Sequence, residues 1–128
     1  MSILKKFYKC EHCGNIITMI QDSGVKVICC GQAMKELIPN TVDAAAEKHV
    51  PVAVRDGNKL TVNVGSVPHP MMAEHHIAWI IAAQEAKTQR VVLDPVGIPA
   101  AEFILDDGPV TIYEYCNIHG LWKAENNE

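Results

Sequence analysis

The chain has 128 residues, of which 48% are hydrophobic and 20% are charged, a composition typical of a soluble globular protein and not of a disordered one. No apolar run reaches the roughly 18 residues that a membrane-spanning helix needs, and a net charge of -4 argues against a general nucleic-acid or membrane-surface binder. The N-terminal lysines precede no apolar region and no small-residue cleavage site, so the sequence predicts no signal peptide and a cytoplasmic location.

Cysteine usage divides the chain into two parts. Four of the five cysteines lie between residues 10 and 30, in a segment with too few large apolar side chains to build its own core. A module of about 37 residues is below the size at which burial alone usually suffices, so it needs a metal, disulfides or a partner. An odd number of cysteines excludes complete disulfide pairing within one chain, and in a reducing compartment this spacing indicates metal or redox chemistry.

The spacing of these four cysteines predicts one tetrahedral thiolate site. Cys10 and Cys13 form a Cys-x-x-Cys turn, in which Gly14 lets the backbone bend. The adjacent Cys29 and Cys30 could pair with each other only through a strained vicinal disulfide, so their more natural role is to supply two further ligands. Four thiolates suit zinc or a single iron, and from this motif alone zinc ranks ahead of iron.

The rest of the chain consists mainly of predicted short strands, reached through a predicted linker at residues 35–41. Residues 50–55 and 59–64 are two such runs, and the Asp-Gly-Asn sequence between them predicts a hairpin. Further apolar or alternating runs, separated by turn residues, lie at residues 90–93, 102–105 and 110–115. Several short strands at this spacing predict a β-sandwich.

One stretch of the second part does not follow this strand pattern. Residues 76–87 are rich in alanine, and Ile77, Ile80 and Ile81 recur at helical spacing. The periodicity taken alone therefore predicts a helix there.

A second group of metal-ligating residue types lies at predicted loops and strand ends of the second part. Its members are His49, His69, His75, Cys116 and His119. Imidazole and thiolate are good ligands for iron and other late first-row metals. A lone histidine is more often a surface residue, which is our interpretation of His12, while His76 is an alternative to its neighbour His75. The spacing favours a second metal site and leaves its geometry open.

Five sequence motifs, in the same order and with compatible separations, closely resemble those of desulfoferrodoxins. They are Tyr-Lys-Cys-Glu-His-Cys-Gly-Asn at 8–15, Cys-Cys-Gly at 29–31, Glu-Lys-His-Val-Pro at 47–51, Gly-Ser-Val-Pro-His-Pro-Met at 65–71 and Glu-Tyr-Cys-Asn-Ile-His-Gly-Leu-Trp-Lys-Ala at 114–124. The resemblance implies an all-β protein with a small desulforedoxin- or rubredoxin-like metal-binding module at residues 1–37. An immunoglobulin-like antiparallel β-sandwich follows at residues 38–128, with a strand, not a helix, after His76.

The same resemblance implies two mononuclear irons per chain and a superoxide reductase activity. One iron would be bound by the four cysteines at positions 10, 13, 29 and 30. The other would have His49, His69, His75 and His119 as equatorial ligands and Cys116 as the axial thiolate, with an open sixth position in the ferrous state. Such an enzyme reduces superoxide to hydrogen peroxide by one electron without dismutation. The resemblance further implies a rubredoxin-type electron donor and a homodimer joined largely through the N-terminal modules.

Two residues beside the second group are the candidates for roles in catalysis. Lys48 is the candidate for the cation that attracts superoxide and orients water, and Glu47 is the candidate for occupying the open position after oxidation and displacing product. Without the motif, both would be interpreted as solvated surface residues. The chain departs from relatives in its Met-Met-Ala-Glu loop at residues 71–74, where lysine or more acid is frequent, and in His76, where a bulky aromatic is frequent.

Three alternative functions compete with the reductase. The first is a non-catalytic iron electron carrier, in which both irons only pass electrons. The second is a zinc-ribbon protein whose β-sandwich is a scaffold for partner binding. The third, a superoxide dismutase, is disfavoured because an electron-rich thiolate site favours reduction of superoxide over its oxidation.

Overall fold

The structure is a computed structural model that describes residues 5–42 and 44–126, and the chain divides into two compact units, Lys5–Ile38 and the residues from Pro39 onward. In the first unit, strand β1 (Phe7–Lys9) lies between β2 (Ile16–Thr18) and β5 (Lys35–Leu37), antiparallel to both. Strands β3 (Ile28–Cys29) and β4 (Gln32–Ala33) form a separate two-stranded hairpin.

The predicted linker at residues 35–41 is wrong in its first half. Lys35 and Leu37 lie opposite Lys9 and Phe7 in the pairing of β5 with β1, so this segment belongs to the first unit. The sequence signal was weak because two of the three residues of β5 are charged and exposed. Pairing of the backbone N–H and C=O groups with β1 still makes the segment a strand.

The second unit contains one short helix and seven strands among its described residues. They are α1 (Ala46–His49), β6 (Pro51–Asp56), β7 (Lys59–Val64), β8 (Ile77–Ala83), β9 (Thr88–Val92), β10 (Ala100–Ile104), β11 (Val110–Cys116) and β12 (Gly120–Asn126). The strands form two antiparallel sheets, with the orders β10-β7-β6 and β12-β11-β8-β9. The prediction of an all-β protein with a β-sandwich is confirmed.

An apolar core joins the inner faces of the two sheets. Leu60, Val62 and Val64 alternate along β7 and point into the core, where they belong to one cluster with Ile80 of β8 and Ile112 of β11. The alternation predicted for residues 59–64 is thus the inward face of a strand that is buried on one side. The predicted hairpin before it is also present, since Gly57, in the turn between β6 and β7, has the positive φ of +62° that such turns require.

The helix suggested by the periodicity of residues 76–87 is wrong, and the strand implied by the family resemblance is correct. Strand β8 lies between β11 and β9, and Ile77, Ile80 and the three residues that follow Ile80 are buried. A strand buried in the middle of a sheet has a nearly continuous apolar sequence, which periodicity cannot distinguish from a helix. Among the described residues, no helix has the length and apolar character required to cross a membrane.

Candidate metal centres

The first unit brings the four cysteines predicted to form a thiolate site into one cluster. The Sγ atoms of Cys10, Cys13, Cys29 and Cys30, hereafter the four-cysteine cluster, all lie within 4.8 Å of one another, and all four are free thiols. The first two lie in the turn after β1, where the Gly14 N–H donates to the carbonyl of Cys10 at 2.9 Å. The other two lie at the turn between β3 and β4, where Cys30 has a φ of +53°.

Hydrogen bonding makes the thiols of this cluster unequal. The backbone N–H of Cys13 donates to the Cys10 sulfur at 3.4 Å, and this contact is the main cause that lowers the pKa of Cys10 to about 6. Contacts with the Cys13 and Cys10 sulfurs raise the pKa of Cys30 to about 12. Without a cation, one thiolate suppresses ionisation of its neighbours, whereas a bound metal takes all of them as thiolates. The donor set therefore fits a tetrahedral metal ion.

The second unit brings together the other five predicted ligands, although they come from three separate segments. The candidate ligating atoms of His49, His69, His75, Cys116 and His119, hereafter the histidine–cysteine cluster, lie within 4.8 Å of one another. His49 ends α1, Cys116 ends β11, and His119 lies in the turn before β12. His69 and His75 lie in the loop between β7 and β8. The side chains of His49, His69 and Cys116 are at most 3% exposed.

The four imidazole rings form a closed cycle around one point. Ring centroids of successive pairs are 4.7 Å (His49–His69), 4.8 Å (His69–His75), 5.1 Å (His75–His119) and 4.9 Å (His119–His49) apart. Each ring is steeply inclined to the next, with interplanar angles between 75° and 89°. Cys116 completes the set, and its sulfur lies 3.9 Å from His119 Nδ1 and accepts the His119 backbone N–H at 3.4 Å.

Hydrogen bonds on the outside of the cycle determine which nitrogens face its centre. The Nδ1 atoms of His49 and His69 lie 2.7 Å from the carbonyl oxygens of Ala45 and Pro70, which can only accept hydrogen bonds. Assigning the proton of each ring to Nδ1 leaves both Nε2 atoms with bare lone pairs, and these two atoms are 3.1 Å apart. Two bare lone pairs at this distance repel each other, and a cation between them removes the repulsion.

His75 provides an independent test of whether the cluster fits a metal. Its Nε2 atom is buried and has no hydrogen-bond partner among the described residues. A buried polar atom without a partner carries a desolvation penalty, so native structures rarely leave one unexplained. A metal ion at the centre of the cycle would accept this lone pair, and imidazoles with one thiolate suit iron and other late first-row metals.

Burial favours the neutral form of three imidazoles of the cluster, which is the form that binds a metal. Desolvation lowers the pKa of His69 to about 4 and also lowers the pKa values of His49 and His75. Burial raises the pKa of the Cys116 thiol, although the backbone N–H groups of His119 and Ile118 partly offset this effect. The cluster thus presents imidazole nitrogen donors together with one thiol, which a bound cation would ionise.

The two candidate catalytic residues lie on α1 beside His49. Lys48 and Glu47 are both exposed. Desolvation and the charges of neighbouring histidines are the larger causes of the lowered pKa values of His49 and His75, and the positive charge of Lys48 is a smaller one. The ammonium group of Lys48 therefore acts electrostatically on both imidazoles. The backbone carbonyl of Glu47 accepts the Val67 N–H at 2.9 Å, which connects α1 to the loop that carries His69.

The two remaining histidines do not join either cluster of ligating atoms in the described residues. His76 Nδ1 lies 3.0 Å from the carbonyl oxygen of Met72, and its backbone N–H donates to the Asn117 side chain at 2.8 Å. Of the two adjacent histidines, only His75 has a ligating atom in the histidine–cysteine cluster. His12 is exposed, as expected for a surface residue.

Trp122, for which the sequence suggested no role, contacts two members of the histidine–cysteine cluster. Its indole stacks on the His49 ring, and its Nε1–H donates to the carbonyl oxygen of His119 at 3.2 Å. The available signal was an aromatic residue three positions after His119, at the start of an unrecognised strand. Gly65 also lies close to the backbone of α1, where an added Cβ would come within 2.6 Å of the Glu47 oxygen. Nothing local in the sequence indicates this approach.

Comparisons with known proteins agree with the two clusters. The family model described as "Desulfoferrodoxin, N-terminal domain" matches residues 4–37, and the model described as "Desulfoferrodoxin" matches residues 41–125. The chain is 48% identical to a desulfoferrodoxin of Syntrophotalea carbinolica over 118 residues, covering 92% of this chain and 94% of that protein. It is 39% identical to a superoxide reductase of Pyrococcus horikoshii over 111 residues, covering 72% of this chain and 96% of that protein.

A solved structure is similar over nearly the whole chain. The crystal structure of the superoxide reductase from Treponema pallidum matches with a TM-score of 0.76 and 34% identity, covering 95% of this chain and 99% of that one. The two family models together account for almost the entire sequence, and each contains one of the two clusters. The chain therefore belongs to the desulfoferrodoxin family.

Proposed function

We propose that this chain is a superoxide reductase that binds one iron at each of its two clusters. The observation that carries the proposal is the closed cycle of four imidazoles completed by the Cys116 sulfur, because this donor set suits an iron that reacts with a small ligand. Relatives from Pyrococcus horikoshii and Treponema pallidum that carry the name superoxide reductase support it.

The chemistry requires one electron and two protons for each superoxide that becomes hydrogen peroxide. Iron bound by the histidine–cysteine cluster would supply that electron. The chain contributes the ligand set: the carbonyls of Ala45 and Pro70 orient the rings of His49 and His69 with their Nε2 atoms inward. Cys116 would contribute a thiolate, an electron-rich ligand that favours reduction of superoxide over its oxidation, and the N–H groups of Ile118 and His119 would stabilise its negative charge.

Lys48 and Glu47 are the proposed catalytic residues beside this centre. The exposed ammonium group of Lys48, whose charge acts on His49 and His75, would attract the superoxide anion and orient a water molecule that delivers protons. Glu47 precedes it on α1, and its exposed carboxylate would displace the product. The contact of the Glu47 carbonyl with Val67 supports a fixed position for this short helix beside the site.

The first unit is proposed to bind its iron through the four-cysteine cluster and to receive electrons from a rubredoxin-type donor. We also propose a homodimer joined largely through this unit. The exposed apolar side chains of Ile20, Val25 and Ile28, which are 104%, 74% and 62% exposed, support a second copy as the group that covers them. Sedimentation of the purified chain tests the dimer, and a monomer at micromolar concentration would contradict it. The cytoplasmic location stays a prediction.

The decisive experiment is anaerobic mixing of the fully reduced protein with a measured pulse of superoxide. A superoxide reductase yields one hydrogen peroxide for each superoxide and no dioxygen, because every superoxide is reduced. A dismutase yields half as much peroxide together with dioxygen, and an electron carrier leaves superoxide to decay at its uncatalysed rate. Either of the last two results would refute the proposal.

Metal analysis of the same sample tests the zinc-scaffold alternative. The proposal predicts iron at both clusters and visible absorption from the Cys116 thiolate bound to oxidised iron. A His75→Ala variant is the matched control, since it removes one ring of the cycle and leaves the four-cysteine cluster intact. A chain that binds zinc at both clusters and shows no thiolate–iron absorption would contradict the assignment.

A further inference from the structure

Trp122 makes contacts with two histidines that come from distant segments of the second unit. Its side chain is 3% exposed and lies on β12, in register with Glu114 of β11. The indole stacks on the imidazole of His49 with centroids 4.9 Å apart and an interplanar angle of 23°. The same indole donates its Nε1–H to the carbonyl oxygen of His119 at 3.2 Å.

These two histidines need an external support because their own segments are short. His49 ends a helix of only four residues, and its Nδ1 contact with Ala45 orients the ring only against the residue that precedes this helix. His119 lies in the turn between β11 and β12, 70 residues further along the chain, yet its Nδ1 lies 3.1 Å from His49 Nε2. A rigid indole that is held in the sheet and contacts both segments can fix the position of His49 relative to His119.

The strand that carries Trp122 is itself well anchored. Strand β12 pairs with β11 along its whole length. On either side of Trp122, Asn40 donates its backbone N–H to the Leu121 carbonyl at 3.1 Å and accepts the Lys123 N–H through its side chain at 2.8 Å. The position of the indole therefore depends on the sandwich and not on a loop, which is the arrangement that holds ligands in a fixed geometry.

We propose that Trp122 is a positioning residue that sets the relative placement of His49 and His119 and thereby the affinity and electronic properties of the metal in the histidine–cysteine cluster. The stack also shields one face of His49 from water. The inference rests on the proposed function for the identity of the metal. Outer-shell partners of metal ligands typically contribute about 10–100-fold in metal affinity.

Two substitutions separate the contacts that the indole makes. Trp122→Phe keeps an aromatic ring against His49 and removes the N–H bond to His119, whereas Trp122→Leu removes both. The matched control is Trp79→Leu, because Trp79 stacks on Tyr115, which is not a ligand, with centroids 5.7 Å apart. In the full iron-loaded chain, the ferrous dissociation constant of the centre is measured by competition with a ferrous chelator. The reduction potential and the Cys116 thiolate–iron absorption band are recorded on the same samples.

The proposal predicts that Trp122→Leu weakens iron binding at this centre by about 10–100-fold and shifts both the potential and the absorption band. Trp122→Phe should restore most of the affinity through the stack while still showing a shifted band, since the His119 carbonyl has lost its donor. Trp79→Leu should lower the unfolding midpoint without moving any of the three metal readouts. If Trp122→Leu does not fold, the position of the Cys116 thiolate–iron absorption band in Trp122→Phe alone tests the proposal.

Wild-type affinity, potential and band position in the Trp122 variants that fold would overturn the proposal. Equal effects of Trp122→Leu and Trp79→Leu on the metal readouts would also overturn it, because they would indicate a purely structural role. None of these readouts depends on superoxide. A chain that binds iron as expected but fails to reduce superoxide would therefore refute the proposed function and leave the role of Trp122 standing.

Discussion

Gly65 allows the end of β7 to pack directly against the backbone of α1. A Cβ atom on this residue would lie 2.5 Å from the Val67 oxygen, 2.6 Å from the Glu47 oxygen and 2.7 Å from the Lys48 carbonyl carbon. All three are backbone atoms, so no side-chain rotation relieves the contact. The helix that would have to move carries the candidate catalytic pair and the proposed ligand His49.

The expected cost of Gly65→Ala has two contributions. The φ of Gly65 is +81°, and a left-handed conformation costs an L-residue about 1–2 kcal/mol. Contacts below 3.0 Å are essentially never observed for real Cβ atoms, so the backbone of α1 or of the loop must also shift by about half an ångström. Overpacking of this kind costs typically about 1–3 kcal/mol. Gly57→Ala is the matched control, since its φ is +62° but nothing lies within 4 Å of the added Cβ.

Urea unfolding of the metal-free variants measures both contributions. Gly57→Ala should reduce the free energy of unfolding by the conformational cost alone, and Gly65→Ala should reduce it by about 1–3 kcal/mol more. In the metal-loaded chains only Gly65→Ala should weaken iron binding, because its shift separates His49 from His69. Equal losses of stability in the two variants, or unchanged iron binding in Gly65→Ala, would refute the reasoning.

Three further substitutions test other parts of the second unit and the first. Burial raises the pKa of Glu114 to about 9, above the value of 4.5 that the same carboxyl has when it is exposed. The protonated carboxyl therefore stabilises the folded state fully below pH 4.5, and this stabilisation is lost as the pH rises toward 9. Glu114→Gln cannot ionise and should flatten the pH dependence of urea unfolding of the metal-free protein in this window; an unchanged slope would contradict the burial argument. Lys48→Ala should slow the reaction with superoxide in stopped-flow mixing and weaken the dependence of its rate on ionic strength. Lys48→Arg should retain the wild-type rate and its dependence on ionic strength. Unchanged kinetics in the alanine variant would remove Lys48 from the mechanism. Cys13→Ser should lower the iron content by about one ion per chain, while the histidine–cysteine cluster should still react with superoxide. If this variant still turns over with the electron donor, the first iron is not a required relay.

Several local features of this protein could be predicted from short-range patterns in the sequence. Cys-x-x-Cys at Cys10 and Cys13 implies a shared ligand site, because two thiols in one tight turn cannot lie far apart, and Cys116 with His119 follows the same logic. The hairpin at Gly57 and the alternation of residues 59–64 are equally local, since turn chemistry and the pleat of a strand depend on adjacent residues. The resemblance to the family added the expected roles within the second group, with four equatorial histidines and Cys116 as the axial thiolate.

The tertiary structure decided whatever depends on segments that are distant in the chain. Residues 77–83 are a strand because β9 and β11 pair with them on both sides, which outweighs their helical periodicity. His75 joins the cluster and His76 does not, because only one of two adjacent side chains faces the centre. The contacts of Trp122 with His49 and of Gly65 with α1 are invisible in the sequence for the same reason. Local spacing determines which groups share a turn, and only the packing of the two sheets determines which turns meet.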